Sequence, residues 1–188
     1  MGYAKEWLER EEWKNLKDQD MPWRDELLLK ITYRGALRIS EALNLRYPYD
    51  FTRTDDNGFV TIRSSKTSDT PEEQPIGKDL VKETERFMYS EDKETSYVFS
   101  SRQDTKMTRQ RAYQIINEYA EKAEIEKKLG THTLRRSRAK HMLDEGHDLS
   151  FVSKFLRHGD LKTTMEYLKI AKKHLADRAR ELDEKYGL

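Results

Sequence analysis

The sequence predicts an α+β fold, mainly helical with one small antiparallel sheet. Three observations point to it. Apolar residues recur at helical spacing through most of the chain. That period gives way to strand-like alternation and turn residues between Tyr47 and Ile76. No repeat, low-complexity tract or Pro/Gly-rich linker divides the 188 residues, a length that suits one compact domain.

The first helix is expected from Glu9 to Lys17, with Trp7, Leu8, Trp13 and Leu16 as its apolar positions. A second starts near Asp20 as N-cap, with Pro22 in the first turn, where its missing N–H does no harm. Leu27, Leu28, Ile31 and Ala36 form its core side, and Gly35 ends it. A short helix follows through Ile39, Ala42 and Leu43. In the sheet, Phe51 opens one strand, Asp55 to Gly58 form a turn, and Phe59 to Ile62 return. A third strand carries Gln74 to Ile76. Helices resume over Leu80–Met88 and Thr108–Lys128, the latter with Ile115, Ile116, Tyr119 and Ala123 at helical spacing. The next starts near Thr131 and stops at Gly146, a good residue just past a helix end. Short helices near Ser150–Leu156 and Lys162–Leu168 precede a polar terminal helix, Ala171–Tyr186.

Charged residues make up 38% of the chain, against about 25% in an ordinary soluble domain. Lys and Arg number 36, Asp and Glu 35, so the net charge is +1. Read alone, that balance argues against a nucleic-acid binder, which usually carries a basic excess. The total hides an asymmetry. Residues 1–94 hold 16 basic and 21 acidic side chains, and residues 95–188 hold 20 and 14.

Several classes fall away. With no Cys there is no disulfide framework, thiolate metal site or cysteine nucleophile. The apolar run Leu27–Leu29 is far short of the ~20 residues of a membrane span. Met1 to Arg10 lack the apolar centre of a signal peptide. A soluble, cytoplasmic protein is expected. Phosphate-loop, dinucleotide-binding and H-E-x-x-H motifs are missing, and the five His do not fall at metal-ligand spacings.

The cationic residues are more informative. Thr131 to His141 contains Arg135, Arg136, Arg138 and Lys140 and no acid. On a helix His132 and Arg135 share a face, which sets a proton-transfer group beside a bidentate phosphate clamp. Taken alone, the segment is more readily a solvated basic face. Leu156 to Tyr167 sets His158 and Tyr167 nine residues apart across Gly159-Asp160; each alone is by default a structural residue. In Gly35 to Leu45, Arg38 stands among apolar positions and needs an anionic partner. That partner is an internal carboxylate such as Glu41, or a phosphate.

Together, in this order, the three segments resemble the catalytic domain of the tyrosine recombinases, the family of phage integrases and Xer-type recombinases. G-A-L-R-I-S-E-A-L-N-L resembles its first arginine box, H-T-L-R-R its H-x-x-R box, and L-R-H-G-D-L-K-T-T-M-E-Y its final box. The hairpin lies between the first two, as in the family. The resemblance spans about Trp7 to Tyr186 and implies the tyrosine recombinase catalytic-domain fold over 1–188 as a single domain. The family's separate N-terminal clamp domain has no counterpart in residues 1–25.

The resemblance also implies roles. Arg38 and Arg135 hold the scissile phosphate, His132 is the acid/base histidine, and His158 hydrogen-bonds a phosphate oxygen. Tyr167 is the nucleophile, Lys66 is the hairpin lysine, and Glu41 orients a catalytic arginine. The partner implied is double-stranded DNA, cut and rejoined through a 3′-phosphotyrosine without metal, ATP or other cofactor. No membrane is involved; the chain would be a monomer when free and a tetramer on DNA. Arg102, Lys106, Arg109, Arg111 and Arg136 are candidate contacts to the DNA backbone. Two departures are Arg157, where the family usually has Gly, and Arg136, where it often has His. Both are expected to add positive charge near the phosphate. Alternatives are a domain limited to topoisomerase-like nicking and resealing, a non-catalytic DNA-binding remnant, and a helix-turn-helix repressor.

Overall fold

The computed structural model describes residues 7–63, 70–91, 95–158, 162, 164, 165, 180, 183, 184 and 187. Helices α1 (Arg10–Lys17), α2 (Trp23–Arg34) and α3 (Ile39–Asn44) come first. Strands β1 (Phe51–Arg53), β2 (Gly58–Ile62) and β3 (Glu72–Pro75) follow, then α4 (Lys78–Ser90), α5 (Arg109–Lys122), α6 (Thr133–Asp144) and α7 (Leu149–Phe155). Both strand pairs are antiparallel, in the order β1-β2-β3. The mainly helical α+β class and the hairpin between Phe51 and Ile62 are as the sequence predicts.

Helix α2 is the centre of the fold. Leu27, Leu28, Leu29, Ile31, Thr32 and Tyr33 are all buried, so little of its circumference meets water. It packs against α1, α3, α4 and α6. Its start differs from expectation: Pro22, not Asp20, is the N-cap, and its carbonyl accepts from the N–H groups of Asp25 and Glu26. Proline's fixed φ and absent donor suit that position as well as the first turn.

The end of α2 positions the site. Gly35 keeps a right-handed φ, and Ala36 makes the left-handed turn at φ +44°. The Leu37 N–H then returns to the Thr32 carbonyl at 2.9 Å, which closes the helix. Gly35 fits a tight space: a Cβ there would stand 3.0 Å from Ile76 Cγ2 and 3.1 Å from Leu37 Cγ, so these side chains would have to give by a few tenths of an ångström. Helix α5 ends six residues before the expected Lys128. Glu124 turns left-handed at φ +56°, and Ile125 folds back into the core with its N–H 2.9 Å from the Ala120 carbonyl.

The core has two parts. The larger gathers α1 to α5, the sheet and Leu134 of α6. The smaller joins Ala36 to Ala139 and Met142 of α6 and to Val152 and Leu156 at α7. The helices expected over Lys162–Leu168 and Ala171–Tyr186 lie largely outside the described residues; Lys162, Thr164, Met165, Arg180, Asp183 and Glu184 are helical. No helix among the described residues is long and apolar enough to cross a membrane.

Candidate active site

Arg135 sits at the seam between the two cores and is 1% exposed. The basic segment of α6 is therefore not a solvated face at this position. A buried guanidinium needs its donors satisfied, and the two neighbouring helix ends do this. Nη1 donates to the Ala36 carbonyl at 2.7 Å, and Nη2 donates to the Leu156 carbonyl. Both carbonyls belong to helix C-termini, of α2 and α7, whose partial negative charge favours a cation.

Arg38 is the N-cap of α3. Its backbone N–H donates to Glu41 Oε2 at 2.7 Å, and its Nη1 donates to Glu41 Oε1 at 2.6 Å. Glu41 is buried and takes a second cation, with Arg157 Nη2 at 2.6 Å from Oε2; a third, Arg135 Nη1, is 3.8 Å from the same oxygen. One carboxylate thus gathers three guanidiniums. The cluster keeps a net positive charge, the sign a phosphate requires.

His132 is the N-cap of α6, beside the cluster. Burial lowers its pKa, and the charges of Arg136, Arg135, Arg38 and Arg109 lower it further. It is held neutral to lower pH than a free imidazole. His158 follows α7, where Arg157 turns left-handed at φ +55° and the His158 N–H returns to the Ser153 carbonyl at 3.1 Å. Its Nδ1 is 2.8 Å from Thr164 Oγ1, which donates to Ser153 Oγ at 3.0 Å, and this fixes the ring.

The structure thus brings Arg38 and Arg135 together around Glu41, with His132 within reach of both guanidiniums' charge and His158 on the turn whose Leu156 carbonyl binds Arg135. Lys66 and Tyr167 lie outside the described residues. Arg157 stands in the cluster, where added positive charge is expected. Its side chain is 7% exposed and faces inward, onto Glu41 and Gln74, with Nε 3.5 Å from Glu72 Oε2. Its charge is engaged internally instead of facing outward. Gln74 and Glu72 take part in the site without a motif to announce them, and Thr164 lies in the final box without a role assigned to it. Of the candidate backbone contacts, Arg102, Lys106, Arg109 and Arg111 are exposed, Lys106 donates to Asn44 at 2.9 Å, and Arg136 is half-buried.

A phage integrase family model matches residues 6–174. The tyrosine recombinase XerA of Pyrococcus furiosus is 32% identical over 171 residues, covering 87% of this chain and 57% of that protein. The tyrosine recombinase XerD of Shewanella oneidensis is 32% identical over 166 residues, covering 85% and 54%. The chain spans a little over half the length of these curated relatives. A crystal structure of XerA recombinase superposes with a TM-score of 0.78 at 23% identity, covering 96% of this chain and 63% of that one. A XerH site-specific recombinase bound to a palindromic difH substrate, in a post-cleavage complex, gives 0.77 at 23% identity, covering 92% and 52%. At that identity the likeness is one of fold.

Proposed function

We propose, from the premise that the chain belongs to the phage integrase family, that it cuts and rejoins double-stranded DNA through a covalent 3′-phosphotyrosine. The observation that carries this reading is the Glu41-centred pair of Arg38 and Arg135, with His132, its pKa lowered by burial and by these arginines, beside them. Fixed donors of this kind bind a phosphodiester and gain strength as charge builds on its oxygens.

The reaction needs a nucleophile, a base and an acid. Tyr167 supplies the nucleophile; its oxygen forms the new bond to phosphorus as the bond to the 5′-oxygen breaks. A phenol of ordinary pKa near ~10 must lose its proton, and a neutral His132 has a lone pair to accept it. The departing 5′-oxygen takes a proton from the Lys66 ammonium. His158 holds a phosphate oxygen. The phosphodiester's energy is kept in the tyrosine ester, so the 5′-hydroxyl attacks in reverse and reseals the strand without ATP. In this reading the free chain is a monomer and strand exchange takes place in a tetramer on DNA.

A duplex with a nick just beyond the cleavage site loses the 5′-hydroxyl strand by diffusion and traps the covalent complex. Wild type is expected to give a protein–DNA adduct stable to SDS, in EDTA as well as without it. Tyr167→Phe is expected to give none. Equal trapping by both proteins would remove Tyr167 as nucleophile. No trapping by wild type across varied sequences would leave a DNA-binding module.

A further inference from the structure

Arg157 lies at the junction of every described part of the site. Its guanidinium meets three groups: Nη2 donates to Glu41 Oε2 at 2.6 Å, Nη1 donates to Gln74 Oε1, and Nε is 3.5 Å from Glu72 Oε2. Glu41 belongs to α3 and holds Arg38. Glu72 and Gln74 belong to β3, and Gln74 Nε2 also donates to the Phe155 carbonyl of α7 at 3.2 Å. The Arg157 backbone itself forms the turn between Leu156, whose carbonyl binds Arg135, and His158.

The position is costly for an arginine. A non-glycine residue at φ +55° is strained relative to glycine. The burial also lowers the guanidinium's pKa, against the opposing pull of Glu41 and Glu72. A side chain kept at such a position has a tethering geometry that glycine lacks. A lysine cannot reproduce it either, because one ammonium cannot fork in a plane to the Glu41 carboxylate and the Gln74 amide while keeping the Glu72 charge alongside.

What the tether holds follows from the chain order. β2 ends at Ile62 and β3 begins at Glu72, and Lys66 lies in the connection between them. Fastening β3 to Glu41 fastens the far end of that connection to the phosphate-binding arginines. We propose that Arg157 is a positioning residue that locks the β2–β3 hairpin to Glu41, and so sets the register between the hairpin's proton donor and the phosphate grip. This rests on the strand-transfer reading above.

The test compares single-turnover cleavage of two nicked duplexes, one with the natural 5′-oxygen leaving group and one with sulfur in its place. A thiolate leaves without a proton, so a defect in proton delivery shrinks on the sulfur substrate. Arg157→Gly is expected to slow the oxygen substrate by at least about tenfold and the sulfur substrate by less than about threefold. Arg157→Lys should fall between wild type and Arg157→Gly, and it serves if the glycine variant fails to fold. Hydrogen exchange over residues 72–76 should rise in Arg157→Gly even without DNA. Equal slowing on both substrates, unchanged rates, or unchanged exchange would each overturn the proposal. Lys66→Ala separates the two readings. Sulfur rescue of Lys66→Ala but not of Arg157→Gly sinks the tether alone. Rescue of Arg157→Gly but not of Lys66→Ala keeps the tether and removes Lys66 as donor. Rescue of neither removes both.

Discussion

Arg135 shows how a buried cation is held mainly by backbone carbonyls. Its near hydrogen bonds are to two carbonyls, and the Glu41 carboxylate stands off at 3.8 Å. Carbonyls satisfy the donors without cancelling the charge, and Glu41 offsets part of it from 3.8 Å. Arg135→Lys keeps the charge and loses the fork, so it cannot serve both carbonyls while also facing a phosphate. Loss of one such preorganised donor typically costs about 10²–10³ in rate. We expect that loss in single-turnover cleavage, with DNA affinity much less affected; a lysine variant within threefold of wild type would count against the grip. His132 makes a second prediction. Its pKa is lowered by burial and by four arginines, so the neutral base survives below the ordinary value of 6.5. The acid limb of the cleavage rate should therefore lie below pH 6.5. A limb at or above that value would mean that His132 is not the base, or that its proton is stabilised by bound DNA.

At the scale of elements, the helix ends decide what the sequence made legible. Four helices close with the same left-handed turn, at Ala36, Glu124, Gly146 and Arg157. Gly146 alone carries the residue that favours it, and there the end was read correctly. Glu124 carries no such signal, and α5 was read six residues too long. The strain at Glu124 is testable. It is exposed and has φ +56°, so glycine relieves a backbone cost without removing a buried contact. Glu124→Gly should raise stability by roughly 0.5–1 kcal/mol in denaturant unfolding; a destabilised variant would show that the side chain holds the turn. The site divides in the same way. Arg38, His132, Arg135 and His158 could be named as candidates because each falls in a short segment that resembles a family box. Gln74, Glu72 and the inward turn of Arg157 could not be, since these contacts join residues about 80 apart in the chain. Only the packing of β3 on α7 brings them together.

For the whole molecule, α6 is the element on which both the site and the stability of the fold depend. One end carries His132 and Arg135, and the other carries His141, buried to 1% exposure. His141 joins three parts of the chain. Its Nε2 donates to the Leu8 carbonyl at 2.8 Å, which binds the segment before α1. Its Nδ1 must then accept when the ring is neutral, and Tyr33 of α2 donates to it at 2.6 Å. Leu8 is fastened a second time, its N–H on Ser137 Oγ at 2.8 Å. Burial lowers the His141 pKa, with Arg10 opposing its charge and the Leu8 carbonyl and Asp144 favouring it. The sign of the pH effect follows. The unfolded chain takes up the proton near pH 6.5 and the folded one only at lower pH, so unfolding binds protons in that window. Stability is then whole above pH 6.5 and falls with acid, by up to about 1.4 kcal/mol per pH unit for one such group. His132 has a lowered pKa too and adds to the same slope, so the wild-type curve alone cannot assign it. Tyr33→Phe separates them. It deprives Nδ1 of its donor, which should cost about 1–3 kcal/mol at neutral pH. When Nδ1 is protonated the Tyr33 hydroxyl turns to accept from it, so phenylalanine leaves a charged N–H unpaired and protonation becomes less favourable still. The variant should therefore be less stable than wild type at pH 7.5 and lose more on going to pH 5.5, while the His132 contribution cancels between the two proteins. Urea unfolding at the two pH values reads the difference, and an equal or shallower acid loss in Tyr33→Phe would place the titrating group elsewhere than His141.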